Sequence, residues 1–196
     1  MDIENIKNKI NIMADAIIEN KEYLSDLDSE IGDGDHGFNM AKGFSAIKKD
    51  LDSDYKDLKA LFMKLSTDLI SKVGGASGPL YGTFFLRFAG NLAGKTELTR
   101  EDLNKSFKLG VDGVKMRGKA NIGDKTMVDV LEPVAEALNE DKDLKDVIKL
   151  AEEKKDYTKG IKANKGRAAY VGERSIGHID PGAASSYILI EKALEE

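Results

Sequence analysis

The chain has no cysteine, three prolines and two histidines among its 196 residues. The lack of cysteine excludes a disulfide framework, a thiolate metal site and a thiol nucleophile, and it fits a reducing, cytosolic setting. With only His36 and His178 there is no H-x-x-x-H pair for zinc. Neither histidine has a neighbouring Ser or Cys that argues for nucleophilic catalysis. Long apolar runs are missing too. The most apolar stretches, such as 82–93, fall far short of the roughly 20 residues of a membrane span. The first seven residues, Met-Asp-Ile-Glu-Asn-Ile-Lys, show neither the basic nor the apolar region of a signal peptide. Nor is there an excess of positive charge. Thirty basic and 35 acidic side chains give a formal charge of −5, which argues against non-specific nucleic-acid binding. It does not argue against a phosphate ligand, which needs only local positive charge or a metal. The expectation is a water-soluble, cytoplasmic single domain over 1–196, with no membrane contact and a core large enough to need no covalent staple.

Apolar residues recur at helical spacing through most of the chain. Ile3, Ile6, Ile10, Met13 and Ile17 form one stripe, and Leu58, Leu61, Phe62, Leu65, Leu69 and Val73 form another. Leu103, Phe107, Val111 and Val114 follow, then Met127, Leu131, Val134 and Leu138, then Leu144, Val147, Ile148 and Ala151. Each stripe is the buried face of one helix. Start signals agree: Thr99 to Asp102 resembles a capping box, and Pro79 and Pro181 each follow a capping-type residue. About eight helices are predicted, over 2–21, 36–50, 57–74, 79–93, 100–118, 124–139, 142–164 and 181–195. Short connections favour an all-α, antiparallel up-and-down arrangement. Residues 140–156, rich in Lys, Glu and Asp, read as a solvated helix face. Glycine-rich pieces at 31–37, 74–78, 118–123, 166–167 and 177–182 fall between helices. Alternate connections share one end, so distant loops can assemble one site.

The densest chemistry lies in the segment 26–37, Asp-Leu-Asp-Ser-Glu-Ile-Gly-Asp-Gly-Asp-His-Gly, read as a loop. Crowding carboxylates costs repulsion, and a hard divalent cation with oxygen ligands is a natural compensation. An acidic surface loop that caps the following helix is the other reading. Three superficial motif matches fail. The G-x-G-x-x-G of 32–37 lacks the preceding strand of a dinucleotide fingerprint and would set bare carboxylates against a pyrophosphate. An EF-hand counted from Asp26 has its glycine one place late and Gly37 where its last glutamate belongs. The P-loop-like 90–96 has three residues between its glycines where four are needed. Gly74 to Pro79 can present backbone amides to an anion at a helix start, or it is an ordinary turn. His36 could donate to a phosphate. Arg167 and Arg174 stand among glycines, and the forked guanidinium suits phosphate; both also suit an exposed surface.

Four segments in order, 27–40, 74–82, 123–127 and 166–183, together resemble the L domain of dihydroxyacetone kinases, and the resemblance covers essentially the whole chain. It implies an eight-helix antiparallel barrel with ADP or ATP at one rim and two Mg²⁺ bridged by Asp28, Asp33 and Asp35. It implies nucleotide contacts at His36, Gly37, Phe38, Asn39, Ala76, Ser77, Gly118, Met127, Arg167, Asp180, Pro181 and Gly182. Phosphates would lie near the metals, Ser77 and Arg167, and adenine near Gly118 and Met127.

The brevity of the chain adds that it is similar to the free-standing subunit of the phosphoenolpyruvate-driven system. There, resident ADP takes a phosphoryl group from a phosphohistidine on an M subunit and passes it to dihydroxyacetone on a K subunit, a phosphotransferase role that needs both partners. Two other roles go with the resemblance: an ADP-loaded co-regulator that binds a transcription factor of the kinase genes, and the L subunit of an ATP-dependent kinase. A plain helical binding module with a structural acidic loop is the remaining alternative.

Overall fold

The computed structural model describes residues 1–195, and among them the fold is all-α. Nine α-helices are found: α1 (Ile3–Glu19), α2 (Lys21–Ile31), α3 (His36–Asp50), α4 (Leu58–Lys72), α5 (Ser77–Phe88), α6 (Arg100–Gly118), α7 (Val128–Asn139), α8 (Leu144–Tyr157) and α9 (Pro181–Leu194). The only β pairing among the described residues is an isolated bridge between Asp2 and Glu97. Among the described residues, no helix is long and apolar enough to cross a membrane.

The helix starts follow local chemistry. The Asp2 carboxylate accepts from the amide of Asn5 at 2.8 Å, Asp57 from Ala60 at 2.8 Å and Asp180 from Ala183 at 2.7 Å. Each thereby satisfies one of the amides that a helix N-terminus leaves free. Thr99 accepts from Asp102 as the capping pattern predicts. Pro181 opens α9, where its missing N–H costs nothing.

Packing closes a cycle. In turn, α1 lies against α3, α3 against α4, α4 against α5, and so on through α9, which returns to α1. The helix α2 stands outside this cycle, against α3, α9 and the 3₁₀ segment Arg167–Ser175. The predicted apolar stripes point inward: Ile17, Leu58, Leu69, Val111, Val134, Leu138 and Val147 are essentially inaccessible to water. α8 buries only Val147 and Ala151, as its charged sequence implies.

Four expectations change. The segment from Lys21 to Ile31 is helical rather than a loop. Its inward face is Leu24, Ser25, Asp28 and Ile31, a helical spacing in which serine and aspartate replace apolar residues, so periodicity alone misses it. The helix predicted over 142–164 stops at Tyr157, and residues 158–180 form an arch of 3₁₀ turns and loop. The helix predicted from 124 starts at Val128. Asp129 accepts from the amides of Gly123 and Thr126 at 2.6 and 2.8 Å and holds the preceding residues as a turn. Finally, α5 starts at Ser77, so Pro79 sits inside its first turn.

The interior is not filled evenly. An apolar cavity of about 300 Å³ is lined by Ile10, Phe85, Phe88, Phe107, Leu189 and their neighbours. It draws on the C-terminal parts of α5 and α9, away from the helix starts that carry Ser77 and Asp180. Phe44, by contrast, sits in a close-packed region with no exposure. Phe44→Ala should cost about 3–5 kcal/mol of unfolding free energy, read as a shifted urea midpoint at unchanged slope.

Candidate functional site

A cleft of about 170 Å³ opens where the glycine-rich connections meet. Its walls come from the α2–α3 turn, the start of α5, the turn before α7, the arch 158–180 and the start of α9. Twelve of the residues singled out in the sequence line it: Asp28, Asp33, Asp35, His36, Asn39, Ala76, Ser77, Met127, Arg167, Asp180, Pro181 and Gly182.

Three do not. Gly37 is buried in the first turn of α3, where a Cβ would lie 1.9 Å from the Lys21 carbonyl oxygen. Its bareness lets α3 approach α2. Phe38 is 54% exposed and does not line the cleft. Gly118 ends α6 behind Leu80, and Leu80 does the lining. Arg174, the other arginine among glycines, is outside the cleft.

The carboxylates converge. One oxygen from each of Asp28, Asp33 and Asp35 lies within 4.8 Å of the others. Two backbone features produce this. Asp28 faces inward from α2 and accepts from the amides of Asp35 and His36 at 3.0 and 3.2 Å, at the start of α3. Gly34, at φ +76°, turns the chain so that Asp33 and Asp35 flank it. Burial raises the Asp28 carboxyl above its ordinary value. The two amides oppose that shift, and Asp33 and Asp35 add to it. Arg167 already supplies one positive charge, with its guanidinium 2.5 Å from Asp33. Every donor in the triad is a hard carboxylate oxygen, a set that suits Mg²⁺ or Ca²⁺ over softer metals.

Opposite the triad is the N-terminus of α5. Ala76 precedes it and provides no side-chain cap, so its first amides are left for the cleft, a ready anion site.

His36 differs from expectation. Both ring nitrogens are engaged, Nδ1 with Ser77 Oγ at 3.0 Å and Nε2 with Ser185 Oγ at 2.9 Å. These serines lie 41 and 149 residues away in sequence, and the fold alone makes them neighbours. The ring is therefore a support for Ser77 rather than a free phosphate donor. Behind it, the Tyr81 hydroxyl meets Ser185 at 2.7 Å and Ser186 at 2.9 Å. This buried chain separates the cleft from the apolar cavity, and Tyr81 lines both. Tyr81, Ser185 and Lys125 carry no signal of their own in the sequence beyond their place in or beside the glycine-rich segments.

Two buried groups have strongly shifted acidities. Burial pushes the Asp180 carboxyl up to about 7, with Asp129 adding to the shift and the Ala183 amide and Lys125 opposing it. Burial lowers His36 to about 4.

The DAK2 domain model matches residues 30–195. The chain is 48% identical to the ADP-binding subunit of the phosphoenolpyruvate-dependent dihydroxyacetone kinase 1 of Listeria innocua, covering 95% of this chain and 92% of that one. It is 44% identical to the corresponding Escherichia coli subunit, covering 95% and 93%. Among solved structures, the dihydroxyacetone kinase of C. freundii in complex with AMP-PNP and Mg²⁺ aligns with a TM-score of 0.75 at 24% identity. That alignment covers 98% of this chain and 34% of the other, and it shows a shared fold.

The neutral, enclosed imidazole of His36 makes a prediction for metal-free protein in EDTA. Its pKa in the folded state lies below that of the unfolded chain. The stability it contributes is therefore full above about pH 6.5 and is lost as pH falls toward about 4. In proton NMR the His36 ring signals should stay constant from pH 8 to 5.5. A midpoint near 6.5 would show that the ring is open to water.

Proposed function

The chain belongs to the DAK2-domain family, and we propose that it is the ADP-binding subunit of a phosphoenolpyruvate-dependent dihydroxyacetone kinase, a cytoplasmic phosphotransferase component that works with partner subunits. One observation carries the reading: three carboxylates, an uncapped helix start and an arginine converge on a single cleft. Relatives that bear this name match the chain over more than nine-tenths of its length.

In this reading Asp28, Asp33 and Asp35 hold two Mg²⁺. Ala76 and Ser77 receive phosphate oxygens, Met127 and Leu80 flank the base, and His36, Asn39, Asp180, Pro181 and Gly182 complete the nucleotide contacts. Gly37, Phe38 and Gly118, implied by the resemblance, stand off the cleft wall and are left out of the set. Bound Mg²⁺–ADP supplies the acceptor, and then the donor, for a phosphoryl group that arrives from a phosphohistidine on an M-type subunit and leaves for dihydroxyacetone on a K-type subunit.

The work of this chain is placement and charge balance, the main source of catalysis in phosphoryl transfer. Asp28 is immobilised by two amides, so its oxygens are oriented before any cation arrives. The amides at the start of α5 neutralise negative charge without moving. Arg167 exchanges Asp33 for phosphate once cations satisfy the carboxylate, and its planar fork can then hold two oxygens. His36 fixes the Ser77 hydroxyl. With a pKa of about 4 and both nitrogens engaged, it is a poor base for a substrate hydroxyl, a role that falls to the K-type partner.

Purified protein should carry near-stoichiometric ADP, visible by absorbance and native mass, and should release it only on treatment with EDTA. Protein that binds no nucleotide with Mg²⁺ present would remove this reading. Asp33→Asn should lower turnover with both partner subunits by two or more orders of magnitude while the circular dichroism stays unchanged. Normal turnover in that variant would refute the metal assignment.

A further inference from the structure

Lys125 sits in the turn before α7 and lines the cleft together with Thr126 and Met127. A lysine in the wall of a phosphate cleft is ordinarily read as a phosphate ligand. Its contacts point elsewhere. The side chain has no exposure. Its ammonium donates to the backbone carbonyls of Thr158 at 2.6 Å, Ser175 at 2.8 Å, His178 at 2.5 Å and Ile161 at 3.2 Å. An ammonium has three N–H donors, so all three are spent and one is shared. Its hydrogen-bond partners include no carboxylate; Asp180 and Asp129 act on it only through space. A buried charge without a paired counter-ion persists only where dipoles are aimed at it, and here four carbonyls are.

Those carbonyls come in two pairs, one just after α8 and one just before α9. They are the two feet of the arch 158–180, which carries Gly166, Arg167 and Ala168 to the cleft and ends on Asp180. The arch has little apolar anchorage: Ile179 alone of its apolar side chains packs on the main core, while Ala163, Ala168 and Val171 pack with Ile31 in a small separate cluster. Its position therefore rests on polar contacts. These include Gly177 to the Lys159 carbonyl at 2.8 Å and Asp180 to the Thr158 hydroxyl at 3.0 Å.

We propose that Lys125 is a positioning residue, an internal cation that pins both feet of the arch to the turn before α7 and so sets where Arg167 and Asp180 stand over the cleft. Its effect on binding rests on the nucleotide reading above, but the pin itself needs no nucleotide. Lysine acetylation mapped by mass spectrometry tests it in the native chain. Lys125 should stay unmodified with or without Mg²⁺–ADP, while the exposed Lys159, Lys162 and Lys165 react. Reaction of Lys125 in nucleotide-free protein, suppressed by Mg²⁺–ADP, would identify a direct phosphate ligand and overturn the proposal.

In Lys125→Met, tryptic cleavage within 158–180 should accelerate at least tenfold and Mg²⁺–ADP affinity should fall at least tenfold. In Lys125→Ala, added methylammonium should restore part of both. An arch as protected as in the native protein would overturn the proposal whatever happens to affinity, as would a loosened arch with native affinity. Should these variants fail to fold, the acetylation result decides. A native protein that binds no nucleotide would remove the functional reading and leave the cleavage test of the pin intact.

Discussion

Like charge held at close range is the constraint around which this molecule is arranged. Asp28 occupies an inward position of α2, with the oxygens of Asp33 and Asp35 within 4.8 Å, and burial works against its ionisation. Each neighbouring element counters part of that cost. The start of α3 turns two amides onto Asp28, the arch brings Arg167 onto Asp33, and the start of α5 faces the cluster with uncapped amides. Helix N-termini favour negative charge in their first turn. Gathering two of them about one cleft makes an acidic cluster tolerable and an anionic ligand with its cations welcome.

The main core supplies the rigidity on which this placement depends. Eight helices pack in a closed cycle, and aromatic side chains of α4, α5 and α6 surround an apolar cavity toward the far ends of α5 and α9. The boundary between the two regions is polar and fully bonded. Tyr81 touches the cavity with its ring and, with its hydroxyl, the serines that support His36. Hydrophobic burial holds the helices, and a buried hydrogen-bond chain keeps the cleft in register with them. A half-satisfied chain there would cost more than an apolar wall, which accounts for the completeness of its partners.

Much of the fold was legible in the residues because burial on a helix leaves a 3.6-residue period. Thr99 and the capping-type residue before Pro181 marked where two of the helices begin. α2 was missed for a physical reason: two of its four inward positions are Ser25 and Asp28, used for contacts at the site, and a polar inward face has no hydrophobic signature. The first part of the arch, 158–164, was read as an extension of α8, because nothing in its local sequence marks an end at Tyr157. The carbonyls at both feet of the arch meet a distant ammonium, which no local window contains.

The sequence by itself determined that the chain is helical, that its acids concentrate in 28–35, and that its glycine-rich pieces connect the helices. Local propensity, periodicity and turn chemistry act over a few residues, and those features are local. Tertiary structure alone decided that His36 is a buried support between two serines, that Phe38 and Gly118 stand off the cleft wall, and that Lys125 faces backbone carbonyls instead of phosphate. Each depends on which distant groups share a small volume, and burial there sets whether a side chain is charged, paired or free.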